Sequence, residues 1–406
     1  MERILFLFFF TIISTLLDFY FYQIIKKYRI ISWTKPLFYL YWLFTLITIT
    51  NFFIYTFSYD LGFYLKAIIF NMIIGNFISK LVALPFLLID DLRRMTIYFF
   101  RKRTESSNNK ISRSKFLSIS ASLAYGLPIT SLTYGILSNN VYDYRVKRRK
   151  VSFKNLPSAF DGIKICHISD IHVGSLKNRV AVRGGLDMIL NEKPDAIFFT
   201  GDLVNDKAEE LKGWGDDLSK LKAPLGVHSV LGNHDYGEYT SWKNENDKIK
   251  NFNDLIKGQK EFGWNLLRNQ NDFIEVDGQK LNIIGVENWA SSRFQQYGDL
   301  KTANEGLDDE GFKLLMTHNP SHWNAQVTNN FRDIDLTLSG HTHGLQYGID
   351  IGKFRISPVR LAYKQWADLY SNDKQFIYVN RGFGFMGYPG RVGILPEITI
   401  LELNRA

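Results

Sequence analysis

The sequence predicts an α/β chain in two parts, an N-terminal four-helix transmembrane region followed by a layered domain of alternating strands and helices. Residues 1 to about 140 are crowded with Phe, Ile, Leu and Tyr in stretches long enough to cross a bilayer. From Val151 onward the apolar residues fall into short runs and period-2 alternation, separated by helical patterns. At 406 residues the chain is also too long for one ordinary domain. The expected divisions are a membrane region over 1–140, a basic linker over 141–159 and a soluble domain over 160–406.

In the first part, four spans of about 20 apolar residues are expected at 4–25, 37–57, 67–89 and 116–137. Asp18 falls inside the first, Lys80 and Pro85 inside the third. Charges near mid-membrane cost about 2.5 to 3.5 kcal/mol each, so both should face protein or snorkel. Interhelical contact is the expected role for them, ahead of a transport pathway. Several spans also rule out a single cleaved signal peptide.

Orientation is read from the basic loops. Loop 26–36 carries Lys26, Lys27, Arg29 and Lys35, and loop 90–115 carries eight further cations, against seven on the opposite side. The positive-inside rule puts the richer side in the cytoplasm and the C-terminal domain outside it, in a multi-pass protein of the cell (inner) membrane. Ser112 to Leu117 is similar to a twin-arginine export signal that lacks its second arginine, the alternative being the ordinary flanking charges of a membrane helix. The formal charge of +9 lies largely beside these spans, which points to lipid headgroups and not to nucleic acid. The single cysteine, Cys166, forms no intramolecular disulfide and reads as a small buried side chain.

In the second part, strands are expected around Ile163–Ser169, Ala196–Thr200, Val227–Leu231, Leu314–Thr317 and Leu336–Ser339. Helical patterns run over about 179–192, 207–221 and 249–262, Phe273 to Val286 reads as a hairpin about Asp277 and Gly278, and more hairpins follow Gly344.

Each of the five strands runs into polar residues of one chemical type. They are Asp170-Ile171-His172, Gly201-Asp202, Gly232-Asn233-His234-Asp235, His318, and Gly340-His341-Thr342-His343. Strand ends of an open α/β sheet share one crevice, so these distant clusters are expected to converge. Carboxylate, imidazole and amide oxygen together suit divalent metals such as Mn, Fe or Zn. Residues two apart in extended chain point the same way, which lets Asp170 with His172, and His341 with His343, each aim as a pair. Asp202 has two oxygens and could bridge two ions. His167, His228 and His322 lie outside the pattern and read as structural.

This series resembles the calcineurin-like metallophosphoesterase superfamily over about residues 160–403. The basic entry to the last span, and Asn380-Arg381-Gly382 through Pro396-Glu397-Ile398-Thr399, resemble its membrane-associated bacterial branch. The resemblance implies a four-layer αββα sandwich and two divalent metal ions. It places Asp170, His172 and His343 on one ion, Asn233, His318 and His341 on the other, and Asp202 between them. It also implies hydrolysis of a phosphodiester or pyrophosphate by an activated water. His234, beside Asn233, is the candidate general acid, with Asp235 either orienting it or capping the next turn.

Arg381 and Arg391 are candidate phosphate contacts, since guanidinium binds phosphate oxygens bidentately. Phe383, Phe385, Met386 and Tyr388, between them, would either be core or enter lipid headgroups, core being the expectation. The expected partners are the membrane and a phosphoester substrate, a lipid-linked one being among the candidates. The rival from another class is a membrane receptor or scaffold with a phosphoesterase-like domain that does not turn over. Such a protein should have lost ligands, and all seven are present.

Overall fold

The computed structural model of the protein describes residues 2–27, 34–57, 63–100, 113–290, 296–308, 310–352 and 354–406. The chain divides into two units, Met1–Leu137 and Ser138–Ala406.

The first unit is four helices, α1 (Glu2–Lys27), α2 (Thr34–Phe57), α3 (Phe63–Phe100) and α4 (Arg113–Leu137), one over each expected span. Within the described residues, Ile68–Phe99 and Phe116–Leu137 are long and apolar enough to cross a membrane, and Phe8–Tyr22 and Tyr39–Ile54 are shorter apolar stretches. α3 continues well past its expected end at Ile89 because its charges are paired one turn apart: Asp90 accepts from Arg93 at 2.8 Å and from Arg94. Most of basic loop 26–36, the 101–112 part of the second loop, and Ser112 of the export-like stretch lie outside the described residues.

Large apolar side chains such as Leu16, Leu46, Leu92 and Leu123 point outward from these helices, and the polar ones point in. Asp18 and Lys80 form a buried ion pair at 2.8 Å between α1 and α3. Tyr41 of α2 donates to Asp18 at 2.9 Å, Lys80 donates to Ser14 at 3.3 Å, and Asn76 of α3 links Thr48 of α2 to Tyr125 of α4. Such bonds hold helices together where the surrounding solvent offers no hydrophobic drive.

The second unit is built on two six-stranded sheets. The first has the order β1 (Arg145–Phe153), β14 (Glu397–Arg405), β2 (Ile163–Ile168), β3 (Ala196–Phe199), β4 (Val227–Ser229) and β5 (Asn265–Leu266). β2 to β5 run parallel, while β14 is antiparallel to β2 and parallel to β1. The segment expected as a basic linker thus supplies a sheet strand. Its cations Arg148, Arg149 and Lys150 are paired with Glu192, Asp368 and Glu402.

The second sheet has the order β12 (Asp368–Asn372), β13 (Gln375–Val379), β9 (Leu336–Ser339), β8 (Lys313–Met316), β7 (Gln279–Gly285) and β6 (Gln270–Val276). β6 and β7 form the expected hairpin, with Asp277 and Gly278 both at positive φ as a two-residue turn requires. A separate hairpin, β10 (Ile349–Ile351) with β11 (Phe354–Ile356), stands outside both sheets.

The main core lies between the sheets, where Ile165, Ala196, Phe198 and Leu401 meet Ile283, Leu314, Met316, Leu338 and Tyr378. A second core holds Ile284, Leu315 and Ile377, the alternate residues of the same strands, against Leu300, Trp323 and Val327. The centre of the second sheet is therefore buried on both faces, which explains why β8 and β9 read as continuous apolar runs. Helices α5 (Arg179–Asn191), α6 (Gly215–Leu218) and α7 (Glu245–Glu261) follow strands of the first sheet, and α8 (Leu300–Ala303) precedes β8. The helical pattern expected over 207–221 is two short turns broken at Gly213, whose φ is +81°.

Candidate metal centre

The turns after β2, β3, β4, β8 and β9 converge, and those after β2, β3 and β9 carry polar residues in an unusual backbone. Asp170, His172, Asp202, His341 and His343 all sit at positive φ, between 47° and 72°. For residues with a Cβ this conformation costs roughly 1–3 kcal/mol each and is found where function holds it in place. Gly232 and Gly340 let the turns close on one another. A Cβ on Gly340 would stand 1.8 Å from Ser169 Oγ, and one on Gly232 2.2 Å from Asp202 Oδ1.

Six of the side chains singled out in the sequence form two groups. In one, Asp170, His172 and His343 bring a ligand atom each within 4.8 Å of one another; in the other, Asp202, His318 and His341 do the same. Asp202 touches both, with Oδ2 3.1 Å from His318 Nε2 and 3.6 Å from His172 Nε2. Asp170 crosses between the groups in the other direction, accepting the His341 backbone N–H at 2.9 Å. Asn233 is buried beside them; its Nδ2 donates to Tyr239 Oη at 3.0 Å and its Oδ1 has no hydrogen-bond partner.

The far ring nitrogens are tethered, which fixes how each imidazole faces the centre. His172 Nδ1 meets Val204 O at 3.1 Å and His318 Nδ1 meets Thr200 O at 2.7 Å, so Nε2 of each is turned inward. His341 is reversed: Tyr363 Oη holds its Nε2 at 2.8 Å, and Nδ1 lies 3.2 Å from His318 Nε2. Such outer bonds set tautomer and basicity in metal sites.

Burial pushes His172 and His341 down to about 3, leaving them neutral, as a metal ligand must be. His318 is also opposed by burial, yet the Asp202 charge beside it raises it to about 9. Buried carboxylates, inward lone pairs, and the unpartnered Asn233 Oδ1 and His172 Nε2 fit divalent cations. In protein alone such orphaned groups would carry a desolvation penalty with nothing to offset it.

His234 adjoins the first group, its ring centroid 5.0 Å from that of His172. Its backbone N–H donates to Asp202 Oδ1 at 2.9 Å, its Nδ1 meets Asn205 O at 2.6 Å, and Tyr239 packs on the ring at 4.6 Å. Asp235 does not touch that ring. Its carboxylate accepts from the backbone N–H groups of Asp202, Leu203, Val204 and Gly232, tying the β3 turn to the β4 turn.

Arg381 and Arg391, expected at the phosphate, are instead buried and engaged within the protein. Arg381 pairs with Glu397 and with Asp350 at 3.2 Å. Arg391 donates to the carbonyls of Arg381, Gly382, Gly384 and Ile394 and lies 3.5 Å from His343 Nδ1. Both fasten the 380–396 loop. Phe383 and Phe385 on that loop are buried, as the core reading expected.

The histidines read as structural are buried too: His167 bonds Thr200, His228 bonds Leu225 O, and His322 bonds Thr317 and stacks on Trp289. Sequence reasoning missed Tyr239, Tyr363 and Asn205. Tyr363 lies 20 residues beyond the last motif and carries no pattern of its own. Tyr239, five residues after His234, was within reach of inspection. A groove lined by Lys207, Trp242, Asn251 and Phe262 contains none of the motif residues.

Comparison with known proteins agrees with this geometry. Residues 163–345 match the family model described as calcineurin-like phosphoesterase. Residues 2–140 match one described as a probable calcineurin-like phosphoesterase transmembrane domain. The uncharacterized metallophosphoesterase YkuE of Bacillus subtilis is 29% identical over 73% of this chain and 98% of its own length. YkoQ of the same organism, likewise described as an uncharacterized metallophosphoesterase, is 27% identical over 66% of this chain and 93% of its own. A transmembrane protein with metallophosphoesterase domain from Danio rerio is 27% identical over 67% of this chain and 60% of its own.

Proposed function

Because the chain belongs to the calcineurin-like phosphoesterases and carries a transmembrane domain of that family, we propose that it is a membrane-anchored, two-metal phosphodiesterase. The observation that carries this reading is the position of Asp202, whose carboxylate reaches toward both ligand groups at once. On this reading Asp170, His172 and His343 hold one divalent ion, Asn233 Oδ1, His318 and His341 hold the other, and Asp202 is shared. Bound there, such ions supply Lewis acidity, making a water nucleophilic near neutral pH and offsetting charge on the phosphoryl oxygens.

The protein's own part is to position the groups and to move a proton. His234 is fixed through its backbone by Asp202 and through Nδ1 by the Asn205 carbonyl. With one proton held on Nδ1 by that carbonyl, the imidazolium carries its second on Nε2, and that second proton is the one given to the departing alkoxide. Asp235 keeps the two turns in register and acts on His234 only through the backbone. Arg381 and Arg391 hold the 380–396 loop under His343, so contact with substrate phosphate falls to other groups.

The membrane domain supports a substrate at or near a bilayer, such as a lipid phosphodiester, a lipid-linked pyrophosphate or a cell-envelope phosphodiester. The excess of cations in loops 26–36 and 90–115 supports an extracytoplasmic catalytic domain in the cell (inner) membrane. Retention of all seven ligand candidates supports turnover over a receptor without catalysis.

The test is hydrolysis of bis(p-nitrophenyl) phosphate and p-nitrophenyl phosphate by purified protein with and without manganese. The diester should be cleaved only with metal and not by Asp202→Ala. A wild type inactive on both substrates and on a panel of phospholipids, with metal bound, would overturn the enzymatic reading.

A further inference from the structure

The β10–β11 hairpin has its pattern inside out. In the pairing register Ile349 faces Ile356 and Ile351 faces Phe354, so these four share one face; Asp350 faces Arg355 on the other. The apolar face is the solvent face, with Ile351 73% and Phe354 61% exposed. The charged face is the one turned to the domain. There Asp350 meets Lys147 and Arg381, each at 3.2 Å, and Arg355 meets Asp368 at 3.0 Å and donates to Ala367 O at 2.8 Å. A hairpin made for water shows the opposite arrangement.

The segments on either side extend the surface. Leu345 is exposed, and Leu361, at 95%, is nearly bare of protein contact. Ser357, which ends the hairpin, donates to Gly344 O at 2.8 Å, so the hairpin base is bonded to the turn that carries Leu345. Arg360 and Lys364 flank Leu361, both exposed and without a carboxylate partner among the described residues. Exposed apolar side chains on a free hairpin are an association hazard unless something covers them.

We infer that this face, Ile349, Ile351, Phe354, Ile356, Leu345 and Leu361 with Arg360 and Lys364 at its margin, seats in the lipid bilayer. A membrane domain in the same chain keeps a bilayer at high effective concentration, which no separate partner matches. Apolar tips beside unpaired cations match the layered chemistry of acyl chains and anionic headgroups. The face also adjoins the metal centre. Leu345 follows His343 by two residues, and Tyr363, which holds His341, follows Leu361 by two. Docking would therefore set the candidate site at the headgroup layer. The inference rests on the membrane domain and the hairpin pattern, and its failure would leave the phosphoesterase reading as it stands.

The test uses the full chain in nanodiscs of phosphatidylethanolamine and phosphatidylglycerol. Single cysteines Ile351→Cys and Leu361→Cys, with Asp277→Cys at the β6–β7 turn as control, carry an environment-sensitive nitrobenzoxadiazole probe; Cys166 is fully buried and takes no label. At Ile351 and Leu361 the emission should shift to the blue, fall with doxyl-labelled lipid, and resist aqueous iodide, whereas the control should respond to iodide alone. Iodide quenching at Ile351 and Leu361 equal to the control would overturn the inference. So would probes shielded from both quenchers, because the cover would then be protein.

Discussion

His341 Nδ1 lies 3.2 Å from His318 Nε2. Two bare nitrogen lone pairs facing each other at that distance repel, so the contact needs a proton or a metal ion between them. In protein without metal, His318 supplies it. Burial opposes the charge, but Asp202 raises the group to about 9. The folded value lies above the unfolded one of about 6.5, so this stabilisation is complete below pH ~6.5 and disappears as pH rises through about 9. Metal-depleted protein should lose up to about 3 kcal/mol across that window, seen as a falling melting temperature, and manganese should remove the dependence. A flat profile without metal would refute it.

Tyr363→Phe should weaken one metal position and spare the other. The hydroxyl holds His341 Nε2 at 2.8 Å and touches no other ligand candidate in either group. Loss of an outer bond of this kind lowers metal affinity roughly 10–100-fold. Stepwise chelation should therefore release one ion early from the variant, and parallel release of both would contradict the assignment of His341 to its own ion.

The architecture of the soluble unit and the metal-ligand candidates were legible in the sequence because both are local signals repeated. Strand runs of four to seven residues ended in the same kinds of side chain, and Asp277-Gly278 marked its own turn. What was not legible depends on three-dimensional context. Basic residues 145–150 looked like a linker because their acid partners, such as Asp368 and Glu402, are more than 200 residues away. Arg381 and Arg391 looked free for a different reason: Glu397 and the backbone carbonyls that claim them are near in sequence and meet them only through the folding of their own loop. The inverted β10–β11 face needed strand register to be seen, because an apolar-charged-apolar run does not say which side faces the core.

His234→Gln should lower turnover of the diester about 10²–10⁴-fold, the usual yield of general acid catalysis. Metal content should be unchanged, because His234 meets Asp202 through its backbone, which the substitution leaves in place. Full activity in this variant would remove His234 from the proton transfer.

In the membrane unit, Lys80→Met should be far more damaging than the double variant Asp18→Leu with Lys80→Met. The single change strands the buried Asp18 carboxylate, at a cost of roughly 3–5 kcal/mol, whereas removing both partners together is close to neutral. Detergent-solubilised melting temperatures of the three proteins test this. A double variant that folds but loses a transmembrane activity would instead favour a pathway role for the pair.

The central claim is that Asp202 joins two ligand groups into one two-ion centre, and metal stoichiometry tests it most directly. After loading with manganese and desalting, elemental analysis should find two ions per folded wild-type chain and a loss of both, or nearly both, in Asp202→Ala. A folded wild type that retains none, or an Asp202→Ala variant that still holds two, would contradict the account.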